Sequence, residues 1–333
     1  MNKQQAIPQT LTAPSLSQSS RALLSRLLGN SGIVGIFILL FVGMAFAIPD
    51  FLTERNLGGL LLAVALTGTI AVTMMLVLAL GEVDLSVASI VAFSGVVAAT
   101  ITSASGSVVF GVAAGVAAGA LIGFVNGVVI ARFGINSLIA TLASMEIVRG
   151  LAYIVSQGDA VIITQERFFL LGSTAILGLT IPVWVMLFAF VLFGVLLNRT
   201  VFGKNVLAIG GNVEAARLSG VAVTRVRIVV FTVHGLITGL AGVLLASRMS
   251  LGDPKTSLGL ELAVISACVL GGVSLTGGIA AISGVIVGVL IMGCVQNAMG
   301  LLNVPTFYQY LVRGGILMLA VLFDRWKRSR VVP

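Results

Sequence analysis

Long runs of apolar residues, interrupted by short polar breaks, occupy most of this chain after residue 30. A helix needs about 20 apolar residues to cross the hydrocarbon core of a bilayer, and most of the runs approach that length. The pattern therefore predicts ten membrane-spanning helices, at residues 31–48, 57–80, 85–102, 108–131, 135–155, 177–197, 226–247, 262–276, 279–302 and 307–323.

The eighth run is the least regular of the ten. Its apolar core extends only from Leu262 to Leu270, and Gly271-Gly272 and a Ser/Thr/Gly-rich stretch up to Gly278 follow it. Glycines weaken a helix interior, so the run fits either a full span or a broken helix. The sequence leaves both alternatives open.

Composition indicates an integral membrane protein. Of the 333 residues, 58% are hydrophobic and 9% are charged, whereas about 25% of the residues of a soluble domain are charged. We expect an all-α polytopic fold with one transmembrane domain at 31–323, a polar tail at 1–30 and a basic tail at 324–333. Cys268 and Cys294 both lie in apolar runs and are expected to be buried and free.

The distribution of basic residues predicts the orientation of the chain, because Lys and Arg are enriched on the cytoplasmic side of membrane proteins. They cluster at both chain ends and in the loop at 198–225. These residues are Lys3, Arg21, Arg26, Arg199, Lys204, Arg217, Arg225, Arg325, Lys327, Arg328 and Arg330. Ten spans place all three regions in the cytoplasm. The net charge of +8 is therefore assigned to topology and not to nucleic-acid binding, which would call for interleaved aromatic residues.

Glycines recur every four residues through the fourth span. The positions are Gly111, Gly115, Gly119, Gly123 and Gly127. Four residues turn a helix by about 400°, so the row forms one smooth groove on one face, where another helix can approach closely. We expect a packed helix in this groove; the alternative is a helix that slides along it during transport. Gly235/Gly239 and Gly284/Gly288 repeat the spacing.

The loop at 198–225 contains one short segment with helix signals. Asn212 can cap its start, Glu214 lies in the first turn, and Gly220 can adopt the left-handed conformation at its end. A helix of about two turns is marginal on its own in water, so we expect it to dock onto another protein. The alternative is an incidental surface helix in a basic loop.

Four sequence blocks stand out after residue 80. They are Gly81-Glu-Val-Asp-Leu-Ser-Val87; Thr141-Leu-Ala-Ser-Met145 with Arg149-Gly150; Ala208-Ile-Gly-Gly-Asn212 with Ala215-Ala-Arg-Leu-Ser-Gly-Val221; and Glu261-Leu262 with Leu270-Gly-Gly-Val-Ser-Leu-Thr-Gly-Gly278. Together they resemble the permease subunits of bacterial ABC importers for monosaccharides, which include the ribose, xylose, galactose and arabinose systems. The resemblance covers nearly the whole chain after residue 50. Glu82, Ala143 and Ala263 depart from the family's pattern.

The resemblance implies a multi-pass protein of the bacterial inner membrane that works as a homodimer with a cytoplasmic ATPase subunit and a periplasmic sugar-binding protein. The blocks are closest to those of the arabinose systems, so the expected cargo is a pentose such as L-arabinose. The resemblance also implies that the ATPase is coupled through Asn212, Glu214, Ala215, Ala216, Arg217, Leu218, Ser219 and Gly220.

Several polar residues lie inside the predicted spans. Glu146 and Arg149 are three residues apart and share a helix face. Charges inside a bilayer are costly and face protein or water, so this pair either neutralises itself or lines the sugar path. A neutral polyol also needs uncharged hydrogen-bonding groups. Candidates for such groups are Thr67, Thr69, Thr73, Asn126, Asn136, Gln296 and Asn297.

Asp84 follows a break at the end of the second span. It can cap the third span, or contact the substrate or a partner subunit. The motif Leu80-Gly-x-Val-x-Leu-Ser86 is echoed by Leu270-Gly-x-Val-x-Leu-Thr276, and interrupted spans in matching positions point to a transport pathway. His234, the single histidine, is expected to be a packing residue, since no metal site can be completed around it.

The sequence contains no Gly-x-x-x-x-Gly-Lys-Ser/Thr motif, which excludes ATP hydrolysis by that route. We therefore expect a transport subunit without catalytic residues, cofactor or metal, powered by a separate ATPase. The alternative is an ion-coupled secondary sugar carrier. Such a carrier needs intramembrane carboxylates or histidines that bind the driving ion, and Glu146 alone gives little support for it. An intramembrane enzyme would need paired acids or a nucleophile with its base, and the sequence offers no convincing constellation.

Overall fold

The computed structural model describes residues 30–329, and the surroundings of side chains from residue 32 to residue 322. The predicted polar tail, up to residue 29, and the last four residues of the predicted basic tail lie outside the described range. Most of the described residues are helical, as the long apolar runs predict.

Thirteen helices and four short strands follow one another between residues 30 and 329. The helices are α1 (Asn30–Ala47), α2 (Glu54–Ala79), α3 (Val87–Ser105), α4 (Val108–Phe133), α5 (Ser137–Ser156), α6 (Glu166–Ser173), α7 (Ile181–Arg199), α8 (Val201–Gly211), α9 (Val213–Leu218), α10 (Val223–Met249), α11 (Leu260–Leu270), α12 (Ile282–Leu301) and α13 (Thr306–Ser329). The strands are β1 (Val161–Ile162), β2 (Ala175–Ile176), β3 (Leu179–Thr180) and β4 (Leu251–Gly252).

Every predicted apolar run contains a helix. Seven of them, α2, α3, α4, α5, α7, α10 and α12, are long and apolar enough to cross a membrane, and α1, α11 and α13 have shorter apolar stretches. The protein is therefore an all-α polytopic membrane protein. The apolar runs are helical because the bilayer core offers no water to the backbone, and a helix pairs its N–H and C=O groups within one segment.

The structure corrects one span boundary, adds a helix to the loop at 198–225, and selects one of the two alternatives for the eighth run. The sixth span begins at Ile181 and not at 177, since residues 175–180 form an antiparallel β2–β3 hairpin. The loop at 198–225 contains α8 in addition to the predicted short helix. The eighth run is a broken element, because α11 ends at Leu270 and residues 271–281 are not helical.

The two ends of the helix bundle differ. One end carries the strands, with β1 paired to β4 through Val161 and Gly252, and is called the strand face below. The opposite end carries residues 199–222, including α8 and α9, and is called the α9 face. The non-helical breaks at residues 80–86 and 271–281 lie toward the α9 face, because Gly277 and Gly278 contact Gly210 and Gly211 of α8.

The glycine row of α4 packs against α10, as the four-residue spacing predicts. A Cβ at Gly119 would lie 2.5 Å from the carbonyl oxygen of Gly235 and 2.7 Å from Cα of Gly239. The repeated spacing on α10 thus belongs to the same interface, and two glycine faces lie against each other. Gly111 instead faces α3, through Thr102 and Ala98, and Gly115 lies between α10 and α3, beside Val243 and Ser94.

The core of the protein surrounds the second half of α2. Its side chains from Ile70 to Leu80 are almost completely buried, in contact with α7, α10, α11 and α12. In contrast, half of the residues of α5 are exposed, including Leu142, Glu146 and Ile147. Helix α2 is therefore at the centre of the single chain, and α5 is at its periphery.

Candidate functional site

A polar network lies inside the bundle, between α2 and α10. The hydroxyl of Thr73 lies 2.9 Å from Nδ1 of His234, and Nε2 of His234 lies 3.9 Å from Oδ2 of Asp84. Thr73 is 1% exposed, and His234 and Asp84 are 0% exposed. Burial without partners is costly for polar groups. The Thr73 hydroxyl provides a partner for Nδ1 of His234, whereas Nε2 of His234 and Oδ2 of Asp84 have no hydrogen-bond partner among the described residues.

The network continues from Asp84 to α4. Oδ1 of Asp84 accepts hydrogen bonds from the backbone N–H of Ser86 at 2.8 Å and from its hydroxyl at 2.5 Å. The hydroxyl oxygen of Ser86 accepts from Nδ2 of Asn126 at 3.0 Å. Ser86 is itself the residue that precedes α3. Asp84 therefore orders the turn before the helix and does not bind the amides of its first turn.

Three of the sequence candidates, Thr73, Asp84 and Asn126, thus belong to one network with His234. Sequence reasoning treated His234 as a packing residue and missed this contact. The chemistry of the imidazole could have predicted this contact. A lone imidazole inside an apolar helix needs a polar partner, and the nearest unexplained carboxylate in the core is Asp84.

The remaining uncharged candidates lie elsewhere. Thr69 donates to the carbonyl of Ala65 at 2.7 Å and lines a small, mainly apolar cavity. Asn297 and Asn56 exchange two side-chain hydrogen bonds, at 2.8 and 3.0 Å, and so join α12 to α2. The other uncharged candidates are Thr67, which is buried on α2, Asn136, which is exposed and caps α5, and Gln296, which is half-buried on α12.

Arg149 and Glu146 do not form an ion pair within the part of the chain that the structure describes. Nη1 of Arg149 instead donates to the carbonyl oxygens of Pro254 at 2.6 Å and Thr256 at 3.0 Å. Glu146 is exposed on the surface of α5. The guanidinium thus stabilises the segment at 253–259, which connects β4 to α11 without regular secondary structure.

The segment at 253–259 lies against α13. Gly259 contacts the ring of Tyr310 and the guanidinium of Arg313, and that guanidinium lies 5.7 Å from the centre of the Tyr310 ring. Sequence reasoning did not select Arg313 or Tyr310. Their approach to the segment depends on the packing of α13 against α11, which no local pattern specifies.

The short helix α9 has the predicted caps. Oδ1 of Asn212 accepts from the backbone N–H of Ala215 at 3.0 Å, and Gly220 has a φ of +84°. Glu214 and Arg217 form an exposed ion pair at 3.2 Å. Ala216 is buried against the protein, while Leu218 is 82% exposed. The exposed surface of α9 therefore combines the Glu214–Arg217 ion pair with the apolar side chain of Leu218.

Glycines at the end of α8, just before α9, contact both breaks. The backbone N–H of Gly278 donates to the carbonyl of Ala79 at 2.9 Å. Gly210, two residues before Asn212, fits between these two groups so closely that a Cβ would overlap the Ala79 oxygen. A Cβ on Gly277 would lie 2.8 Å from the amide nitrogen of Gly81. The two echoed motifs thus meet at the end of α8.

A second contact connects the first break to α10. Oε1 of Glu82 lies 3.0 Å from Nη2 of Arg227, and both side chains are largely buried. Arg227 lies one turn into α10. The residue that departs from the glycine of the family's pattern at position 82 therefore has a defined partner.

Comparison with known proteins identifies the type of this chain. Residues 56–321 match the family described as branched-chain amino acid transport system/permease component. No solved structure matches the chain significantly.

Characterised relatives match almost the full length. The chain is 67% identical over 305 residues to the L-arabinose ABC transporter permease protein AraH of Azospirillum brasilense, which covers 92% of this chain and 90% of that protein. It is 53% identical to the L-arabinose transport system permease protein AraH of Escherichia coli K12, over 91% and 93% of the two chains. It is 39% identical to the ribose import permease protein RbsC of Bacillus subtilis 168, over 89% and 92%.

Proposed function

The chain belongs to the branched-chain amino acid transport system/permease component family, and from this premise we propose that it is the membrane-spanning permease subunit of an ABC importer for a monosaccharide. The proposed cargo is a pentose such as L-arabinose, after the names of relatives that are 67% and 53% identical. The protein is a transport subunit of the bacterial inner membrane and not an enzyme.

The observation that carries the proposal is the position of α9. This helix is capped at both ends, exposes Leu218 and Arg217, and directly follows the glycine that contacts both breaks. Movement of an ATPase bound to α9 would displace Gly210. This glycine contacts the breaks at 80–86 and 271–281, which would move with it. Interrupted spans are where transporters bind and release their cargo.

The proposed topology has ten crossings with both termini in the cytoplasm. The α9 face is then cytoplasmic, because residues 198–225 carry a cluster of Lys and Arg. The strand face receives the periplasmic sugar-binding protein. The shorter elements α1, α11 and α13 complete the crossings on either side of the seven long spans.

The proposed homodimer follows from the exposed surface of α5. Glu146 lies about 14 Å along α5 from Ser137, from a rise of about 1.5 Å per residue, and hence well within the bilayer. A carboxylate facing lipid there would cost several kcal/mol. A second copy of the chain would cover this surface, and Glu146 and Arg149 would then border a path between the two copies. The buried network of Thr73, Asp84 and Asn126 would hold the adjacent helices.

Reconstitution tests the proposal. The chain is placed in liposomes with the ATPase and binding protein of an arabinose importer, and uptake of radiolabelled L-arabinose is measured. We expect uptake only with ATP and both companions, and a loss of bound ATPase in Arg217→Glu. Arg132→Glu changes an equally basic residue outside 198–225 and should keep the ATPase bound.

Two outcomes would contradict the proposal. Uptake by the isolated chain that an ionophore abolishes would instead support the secondary carrier. Unchanged ATPase binding in Arg217→Glu would remove α9 as the docking element.

A further inference from the structure

In the proposed ten-span topology, the start of α11 lies deep in the membrane. The helix has 11 residues and therefore spans about 16 Å, roughly half of a 30 Å hydrocarbon core. Its far end enters the break at 271–281, which contacts Gly81 and Gly210 at the α9 face. Leu260 and Glu261 are consequently near the middle of the bilayer, and the irregular segment at 253–259 descends to them from the strand face.

Irregular backbone at this depth is stable only where it is buried in protein or borders a water-filled cavity. Arg149 satisfies the carbonyls of Pro254 and Thr256. This role is structural, because the guanidinium replaces the water that those carbonyls would otherwise need. Arg149 therefore accounts for two backbone carbonyls of the segment. The polar side chains around the segment still have to be explained.

Three side-chain atoms around the segment are buried and have no hydrogen-bond partner among the described residues. They are Oγ of Ser257, Oε2 of Glu261 and Nε of Arg313. Ser257 also has a φ of +65°, a conformation that costs energy for a residue other than glycine. Glu261 interacts electrostatically with Arg149, so its charge is partly balanced without occupying Oε2.

The available groups suit a neutral polyol. A carboxylate accepts from sugar hydroxyls, a guanidinium donates to sugar oxygens, and a serine hydroxyl does either. The ring of Tyr310, 52% exposed beside Arg313, offers a flat apolar surface for the C–H face of a pyranose. Binding sites of small molecules combine such apolar contact with a few placed polar groups.

We propose that Ser257, Glu261 and Arg313, with the ring of Tyr310, form a monosaccharide-binding site midway through the membrane, which the sugar occupies after it leaves the binding protein. The site rests on the proposed function, because it needs a sugar to be delivered from the strand face. Its ligand is an uncharged pentose, as in the proposed function, because the hydroxyls of such a sugar can donate to the Glu261 carboxylate and accept from the Arg313 guanidinium.

The test uses the complete importer in liposomes, with the chain as wild type, Glu261→Gln or Ser257→Ala. Uptake of radiolabelled L-arabinose and of a second pentose that the wild-type importer accepts is measured beside ATP hydrolysis. Loss of a hydrogen bond to a charged group lowers affinity by about tenfold or more. We expect the sugar moved per ATP hydrolysed to fall by about that factor in Glu261→Gln, and the ratio between the two pentoses to change in both variants.

Glu54→Gln is the matched control, because Glu54 is an exposed carboxylate at the start of α2, away from the segment. It should leave the ratio between the two pentoses unchanged. Wild-type sugar-to-ATP and pentose ratios in Glu261→Gln and Ser257→Ala would overturn the site. If Glu261→Gln fails to assemble, Ser257→Ala decides alone, since it removes one hydroxyl and keeps the backbone. A wild-type importer that moves no monosaccharide would instead refute the proposed function.

Discussion

At the scale of single residues, burial gives Asp84 its importance. The carboxylate is 0% exposed and accepts two hydrogen bonds from Ser86. The sequence marks Asp84 by its position after a glycine break, and Thr73 and Asn126 by their chemistry. The approach of His234 to Thr73 and Asp84, and the bond from Asn126 to Ser86, were not predictable, because α10 and α4 are distant in sequence from this break and only packing brings them together.

Asp84→Ala should destabilise the protein by about 2–4 kcal/mol, because it leaves the Ser86 N–H and hydroxyl without their acceptor inside the core. Cys268 and Cys294 are both buried and free, so a thiol-reactive fluorophore reports unfolding as they become exposed. We expect a lower melting temperature in this assay.

Asp159→Ala is the control for this measurement, because Asp159 is exposed and a surface change of this kind alters stability by about 0.5 kcal/mol or less. Equal melting temperatures for Asp84→Ala and the wild type would mean that the buried contacts contribute no net stability.

At the scale of elements, spacing and caps were informative. The row from Gly111 to Gly127 predicts a groove, and α10 lies in it. Asn212 and Gly220 predict the bounds of a short helix, and α9 has them. Both signals are local, since helical periodicity and capping depend on residues within one or two turns. The contact between the two echoed breaks is not local and was visible only as a repeated motif.

Gly210→Ala tests whether α8 transmits motion from α9 to these breaks. A methyl group at Gly210 would overlap the Ala79 carbonyl, whereas a methyl group at the neighbouring Gly211 meets no atom within 4 Å. In the reconstituted importer we expect Gly210→Ala to lower L-arabinose uptake by about tenfold, the size of a typical coupling free energy, while the ATPase stays bound.

Gly211→Ala provides the control, since it makes the same chemical change in the same helix one residue further on. It should transport at the wild-type rate. Similar uptake in the two variants, with the ATPase bound in both, would show that the close contact at Gly210 has no part in transport.

At the scale of the whole molecule, the composition predicts a membrane protein, and the distribution of Lys and Arg predicts its orientation. The structure adds that α2 forms the centre of the single chain and that α5 lies at its edge with Glu146 exposed. The proposed second copy and the proposed sugar path both follow from this distribution of burial.

Orientation can be measured with single cysteines. Ser219→Cys lies at the exposed end of α9, and Ser105→Cys lies at the end of α3 on the strand face, also exposed. Positive residues favour the cytoplasmic side, so a membrane-impermeant maleimide should label Ser219→Cys only in inside-out vesicles and Ser105→Cys only in right-side-out vesicles. The native cysteines are buried and should stay unlabelled in the wild-type control. The reverse pattern would invert the proposed topology.

The amino-acid sequence by itself determined that this chain is a bundle of apolar helices, the approximate position of each predicted span, which glycines pack and which segment forms α9. These properties depend on the transfer of side chains from water to lipid and on interactions within a few turns of helix. Only the tertiary structure decided that His234 approaches Asp84, that Arg149 binds the carbonyls of 254 and 256 in place of Glu146, and that Tyr310 and Arg313 lie beside Gly259. Each of these contacts joins residues far apart in the chain, and their positions depend on how all the helices pack together.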